Sequence, residues 1–208
     1  MFRVTPVVRN LLIINIIVFL CQYLLPVRSD ACMEFQYNPG LTGLISLWKT
    51  DSCAFRPYQF FSYMFAHGGF MHILFNMLAL VSFGPALESY WGEKKFLLFY
   101  IVVGVGAGVF YTVINHFLFP EAGGSMLGAS GAIYGLLMAF GLIYPNMEIM
   151  MMFVPIPFKA KYAVFIIGFL TYLMDRSGGV AHMAHFGGAL VGFIMVRLIW
   201  NDRGGSYY

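Results

Sequence analysis

The sequence predicts an all-α polytopic membrane protein, a bundle of six transmembrane helices, from three observations. Of 208 residues, 60% are hydrophobic and only 10% charged, with a mean hydropathy of +0.77. A soluble domain carries about 25% charged residues, so this chain lacks the supply for a water-facing surface. The apolar residues gather in long runs, several close to the ~20 residues that a spanning helix consumes, and Gly, Pro or charged residues separate them.

The first run, roughly residues 10–25, follows Arg3 and Arg9. No small-x-small cleavage pattern follows it, and Pro26-Val27-Arg28 reads as a helix stop, so it is expected to be a retained first span and not a signal peptide. Residues 26–58 are polar and mix charge with Pro, Gly and Trp48, which predicts a structured loop at the membrane surface. Further spans are expected at about 70–90, 95–119, 126–144, 161–174 and 181–200. Gly92-Glu93-Lys94-Lys95 is a tight turn, and Pro145, Pro155 and Pro157 prevent a helix from continuing between spans four and five. With no internal repeat or low-complexity tract, residues 1–208 read as one membrane domain.

Six spans place both termini on one side. With that side inside, Arg3, Arg9, Lys94, Lys95, Lys159, Lys161, Arg197 and Arg203 are internal, and Arg28, Lys49, Arg56 and Arg176 external. Basic residues concentrate on the cytoplasmic side, so the termini are expected there. A dispersed net charge of +3 gives no reason to expect a nucleic-acid partner. The three cysteines show no metal-binding spacing. Cys21 sits in an apolar run as a small hydrophobe, whereas Cys32 and Cys53 share the polar loop and can form a disulfide if it faces an oxidising compartment.

Polar residues inside spans are costly and mark functional positions. Four stand out: His72 and Asn76 in span two, Ser130 in span four and His185 in span six. His72 and Asn76, four apart, share a helix face. Ser130 lies in Gly128-Ala129-Ser130-Gly131, and His185 shares its face with Gly188 and Gly192. Two such small-residue surfaces can pack closely, which would bring a serine hydroxyl to an imidazole, the minimum for an activated nucleophile. His72 and Asn76 are suitable donors to a developing oxyanion. With no acidic residue near these motifs, the site would be a Ser–His dyad. Taken singly, such a Gly-Ala-Ser-Gly is more often a helix-packing device than a nucleophile, and a lone span His or Asn more often a helix–helix hydrogen bond or pore lining than a catalyst; what shifts the reading is that all four coincide on three spans. His182 and His185 form an i, i+3 pair, but a zinc site needs a third ligand and none is nearby. His67 and His116, near span ends, are expected to be solvated or hydrogen-bonded structural histidines.

The order and spacing of these residues resemble the rhomboid family of intramembrane serine proteases: His67 to Asn76 matches His-x4-His-x3-Asn, followed by Gly128-Ala129-Ser130-Gly131 and Ala184-His185-Phe186-Gly187-Gly188 with Gly192. The resemblance implies a six-transmembrane-helix rhomboid-like bundle with Ser130 as nucleophile and His185 as general base and acid. It further implies an oxyanion hole of His72, Asn76 and the Ser130 N–H, with Tyr134 stacked on His185, supported by Gly128, Gly131 and Gly188. No cofactor and no metal are implied. The partners would be transmembrane protein substrates in the lipid bilayer, and the location a bacterial inner (plasma) membrane with the site opening to the non-cytoplasmic side. Span five and the loop after it would act as a substrate gate. Two departures concern structural positions: Tyr58-Gln59 stands where many members have Trp-Arg, and Tyr90 replaces the arginine after Glu88. The competing expectation is a catalytically silent rhomboid-like protein that binds transmembrane clients; a transporter would require a repeat or charged midplane residues.

Overall fold

The computed structural model describes residues 4–25, 40–119, 124–151, 154–174 and 180–200. Helix α1 (Pro6–Leu24) starts at a proline, whose missing N–H is no loss in a first turn. Its exposed N–H groups are capped from another element: the Glu88 carboxylate accepts from the Val7 N–H at 3.0 Å, the Val8 N–H at 2.9 Å and the Thr5 hydroxyl. Glu88 belongs to α4 (Phe70–Trp91), which runs unbroken through Pro85. A single residue, Gly92 at φ +79°, then joins α4 to α5 (Glu93–Leu118). Only glycine adopts that left-handed conformation without strain; the chain turns at Gly92 alone, and Glu93, Lys94 and Lys95, expected in the turn, form the first turn of α5 instead.

The loop between α1 and α4 contains two short helices, α2 (Leu41–Ile45) and α3 (Gln59–Ser62), and a strand, β1 (Leu47–Trp48). Gln59, one of the two departures from the family pattern, is wholly buried at its centre. Its Oε1 accepts from the Arg56 N–H, and its Nε2 donates to the Leu44 and Ala54 carbonyls at 3.1 and 3.0 Å. One uncharged side chain thus knits three parts of the loop together. Tyr90, the other departure, makes edge contacts with Trp91 and Tyr144. Cys53 is disulfide-bonded and Cys21 is a free thiol, while Cys32 lies outside the described residues.

Helix α6 (Ser130–Ile143) forms the centre of the bundle, with almost every residue from Gly131 to Gly141 buried. Helices α4, α5 and α8 (Val180–Ile194) surround it, and α7 (Ala163–Met174) lies at its edge. A π-helical turn, Met195–Ile199, extends α8. The six main helices thus occupy the six apolar runs. α1, α4, α5 and the stretch His182–Ile199 are long and apolar enough to cross a membrane, whereas the apolar stretches Ser130–Ile143 and Ala160–Leu173 are shorter. The fourth run starts later than expected: instead of 126–144, its helix runs Ser130–Ile143. Ser125–Met126 pair as β2 with β1, in register Leu47↔Met126, and Gly128 at φ +120° breaks the backbone direction. Between α6 and α7 the proline-rich segment forms an antiparallel hairpin of β3 (Glu148–Met151) and β4 (Val154–Lys159).

Candidate active site

Glycine packing builds the site. A Cβ on Gly188 would run into the Gly131 carbonyl oxygen, one on Gly192 would come within 2.8 Å of the Gly135 Cα, and one on Gly131 would lie 2.8 Å from Ala107 of α5. Helices α6 and α8 therefore touch backbone to backbone, as small-residue faces in a bilayer allow. That contact brings together the residues singled out from the two motifs. Ser130 Oγ and His185 Nε2 are hydrogen-bonded at 2.9 Å. The Tyr134 ring, one turn below Ser130, stacks on the His185 imidazole with centroids 4.3 Å apart and planes inclined by 10°.

The chain before Ser130 is pinned on two sides: β2 pairs with β1, and the Gly128 N–H donates to the Tyr63 carbonyl at 2.9 Å. Tyr63 is itself buried, its hydroxyl donating to the Gly104 carbonyl of α5 at 2.6 Å. Ser130 opens α6, so its N–H is one of the first-turn donors without an intrahelical acceptor. The positive end of the helix dipole lies at the same point.

His72 approaches from α4. The position a Gly128 Cβ would occupy is 2.7 Å from His72 Nε2 and 3.7 Å from Ser130 Oγ, so imidazole and hydroxyl border one space that only glycine leaves open. The Gly68 N–H donates to His72 Nδ1 at 3.4 Å. An imidazole accepting at Nδ1 carries its proton on Nε2, the nitrogen on the Gly128 side. Asn76, one turn further along α4, is buried, and its Nδ2 has no hydrogen-bond partner among the described residues. A buried donor left unpaired costs about 1–3 kcal/mol and calls for a purpose.

His182 lies outside this cluster, its ring edge-on to His185 at 6.0 Å and tilted onto Tyr172 at 5.2 Å. Among the described residues no three His, Cys, Asp or Glu are grouped to hold a metal. His67 is buried with its Nδ1 3.3 Å from the Phe65 carbonyl, and Gln22 of α1 brackets its backbone. His116 is exposed. Sequence reasoning passed over Thr171 on α7, whose hydroxyl meets the Tyr134 hydroxyl at 2.6 Å. A lone threonine in an apolar helix carries no motif, so no sequence signal could have singled it out.

A model of the rhomboid domain matches residues 54–202, which include every residue of the cluster. The chain is 32% identical to Rhomboid protease GluP of Bacillus subtilis over 145 residues, 68% of this chain and 26% of that protein. It is 32% identical to Rhomboid protease AarA of Providencia stuartii over 147 residues, 64% of this chain and 52% of that one. Rhomboid protein 1, mitochondrial, of Saccharomyces cerevisiae matches at 31% over 137 residues, 62% and 38% of the two chains. The chain covers between 26% and 59% of the length of its first curated relatives. With the family's domain matched across most of the sequence, and a mainly helical membrane bundle beneath the match, the chain belongs to the rhomboid family.

Proposed function

We propose that this protein is an intramembrane serine endopeptidase that hydrolyses peptide bonds in or near transmembrane segments of other membrane proteins. The observation that carries the proposal is the 2.9 Å contact between Ser130 Oγ and His185 Nε2. With that nitrogen unprotonated, the hydroxyl donates to it. As Ser130 attacks a substrate carbonyl, His185 takes the proton and then passes it to the leaving amine. The carbonyl oxygen becomes an anion held by the Ser130 N–H, His72 Nε2–H and Asn76 Nδ2–H, which answers the purpose of the unpaired Asn76 donor. Tyr134 keeps the imidazole in plane, Gly128 makes room for His72, and Gly131 and Gly188 set the helix spacing. Water then releases the acyl group along the reverse route. The chemistry needs no metal or cofactor.

In this reading residues 1–208 act as one rhomboid-like domain of six crossings in a bacterial inner membrane. The termini are cytoplasmic and the site opens to the opposite side, where water can reach it. A substrate helix hides its carbonyls in i to i−4 bonds, and exposing them in lipid costs several kcal/mol. Segments weakened by Gly or Pro, with small residues at the cleaved bond, are therefore the favoured substrates.

The test is cleavage of a reporter transmembrane segment by purified protein in liposomes. Ser130→Ala and His185→Ala are each expected to abolish turnover while leaving thermal stability intact, and the double variant to be no worse than either, since the pair functions as a unit. Wild-type turnover by Ser130→Ala would end the proposal. A reporter with Gly-Gly below the cleaved bond is expected to be cut faster than one with Leu-Leu, and the reverse order would refute the helix-instability account.

A further inference from the structure

We propose that Thr171 is a positioning residue: its hydroxyl fixes the Tyr134 ring, and through that ring the His185 imidazole. The inference rests on the protease reading above and extends it to a helix that contributes nothing else to the reacting groups. Tyr134 links two contacts. Its ring lies flat on His185, and its hydroxyl is 2.6 Å from Thr171 Oγ1.

The direction of the bond follows from counting protons. Thr171 Oγ1 lies 3.0 Å from both the Ile167 and the Gly168 carbonyls of its own helix. A hydroxyl has one proton, and that of Thr171 is directed to those carbonyls. The Tyr134 O–H therefore donates to Thr171 Oγ1, and a relay runs from the α7 backbone to the phenol. Each step has a geometric consequence. The tyrosine χ2 well is broad, so packing alone sets the ring plane loosely, whereas a tethered hydroxyl sets it closely. A phenol that donates its proton is also more electron-rich, which favours the imidazolium that forms over its face during attack.

The placement gives the contact its weight. Phe165, Phe169, Tyr172 and Leu173 of α7 are 60–68% exposed, and α7 packs less extensively against its neighbours than α6 or α8 does. A residue on this outer helix touches the inner site through one hydrogen bond. Gly168 beside it leaves the ring edge unobstructed, since a Cβ there would make only an ordinary 3.7 Å contact with Tyr134 Cε1.

The experiment labels Ser130 with a small fluorophosphonate, which reports on the nucleophile without needing a transmembrane substrate to enter. Maximal labelling rate and apparent probe affinity are measured in liposomes for wild type, Ser130→Ala, Thr171→Val, Thr171→Ser, Tyr134→Phe and the Tyr134→Phe/Thr171→Val double variant. Thr171→Val keeps the shape and removes the hydroxyl; it is expected to lower the maximal rate about tenfold, on the order of one buried hydrogen bond, with probe affinity unchanged. Thr171→Ser should restore the rate to within about twofold, because it returns the same hydrogen bond. Tyr134→Phe should match Thr171→Val, and the double variant should be no slower than either. A loss of stability alone would not divide rate from affinity in this way. Should Thr171→Val fail to fold, Tyr134→Phe, which keeps the ring, carries the same expectation from the other side of the bond. Wild-type labelling of Thr171→Val or of Tyr134→Phe, a serine variant as slow as the valine one, or losses that multiply in the double variant would each overturn the inference. A wild-type protein that is not labelled at Ser130 would overturn the protease reading and this inference with it.

Discussion

The seam between α6 and α8 and the edge where α7 meets α6 are held by opposite means. Along the seam, a methyl added at Gly188 or Gly192 would collide with the main chain of Gly131 or Gly135, and one added at Gly131 or Gly135 would collide with Ala107 or Val103 of α5. At the edge, α7 presents large exposed side chains outward and joins α6 through the Tyr134–Thr171 hydrogen bond and light apolar contact. Under the proposed function, the contrast separates two demands on the site. A nucleophile and its base need fixed spacing, because a small displacement forfeits much of the rate. Under the same proposal a substrate helix needs a way in, and α7, at the edge of the bundle, is the helix the resemblance implies as the gate.

The sharpest way to break the comparison is to add the same methyl on both sides of it. Gly188→Ala is expected to cost about 3 kcal/mol or more, at or beyond the usual range for overpacking, because the obstacle is the Gly131 backbone. Gly168→Ala, with only an ordinary contact to Tyr134 Cε1, is expected to leave the melting temperature in detergent almost unchanged. Equal losses for the two would show that the seam is no tighter than the edge.

Next in size is Asn76→Ala. It removes a proposed oxyanion donor and is expected to slow turnover by about 10- to 10³-fold, with little change in stability because Nδ2 has no partner to lose. Wild-type turnover would remove Asn76 from the site.

A smaller effect concerns pH and a residue outside both regions, His67 just ahead of α4. Burial, with the neighbouring His72 as second cause, pushes the His67 imidazole down from its ordinary 6.5 to about 4. The unfolded chain then takes up a proton that the folded one refuses, so stability is full above pH 6.5 and falls as pH drops from 6.5 toward 4. Thermal melts across that window should show the decline, and His67→Phe should flatten it; an unchanged slope would assign the acid sensitivity elsewhere. Smallest of all is Phe169→Leu on the outer face of α7, expected to change stability by less than about 0.5 kcal/mol, as exposed positions do.

Much of this protein was legible in its sequence because lipid imposes a simple rule. Backbone polar groups must be satisfied inside each segment, so hydropathy alone located the apolar runs that became the six main helices. The motif residues were legible too, since a serine or histidine among glycines and apolar residues is conspicuous. Packing then decided what no linear pattern encodes. Asn15 stands in a long apolar run with no motif around it, yet it is fully buried in α1 with its amide donating to the Leu11 carbonyl at 2.7 Å. Gln59 reads as a substitution until its bonds are seen to gather Leu44, Ala54 and Arg56. The true start of α6 depended on β2 pairing with β1, nearly eighty residues away in sequence, and on a left-handed glycine beside His72.

The sequence by itself therefore determined which segments are helical and which side chains could do chemistry, because both follow from local composition and spacing. Only the tertiary structure decided that Ser130 meets His185 at 2.9 Å, that Asn76 Nδ2 finds no partner among the described residues, and that a threonine on an edge helix reaches the tyrosine stacked on the imidazole. Those are distances between elements, fixed by how glycine faces and side-chain hydrogen bonds close across helices that the chain itself keeps far apart.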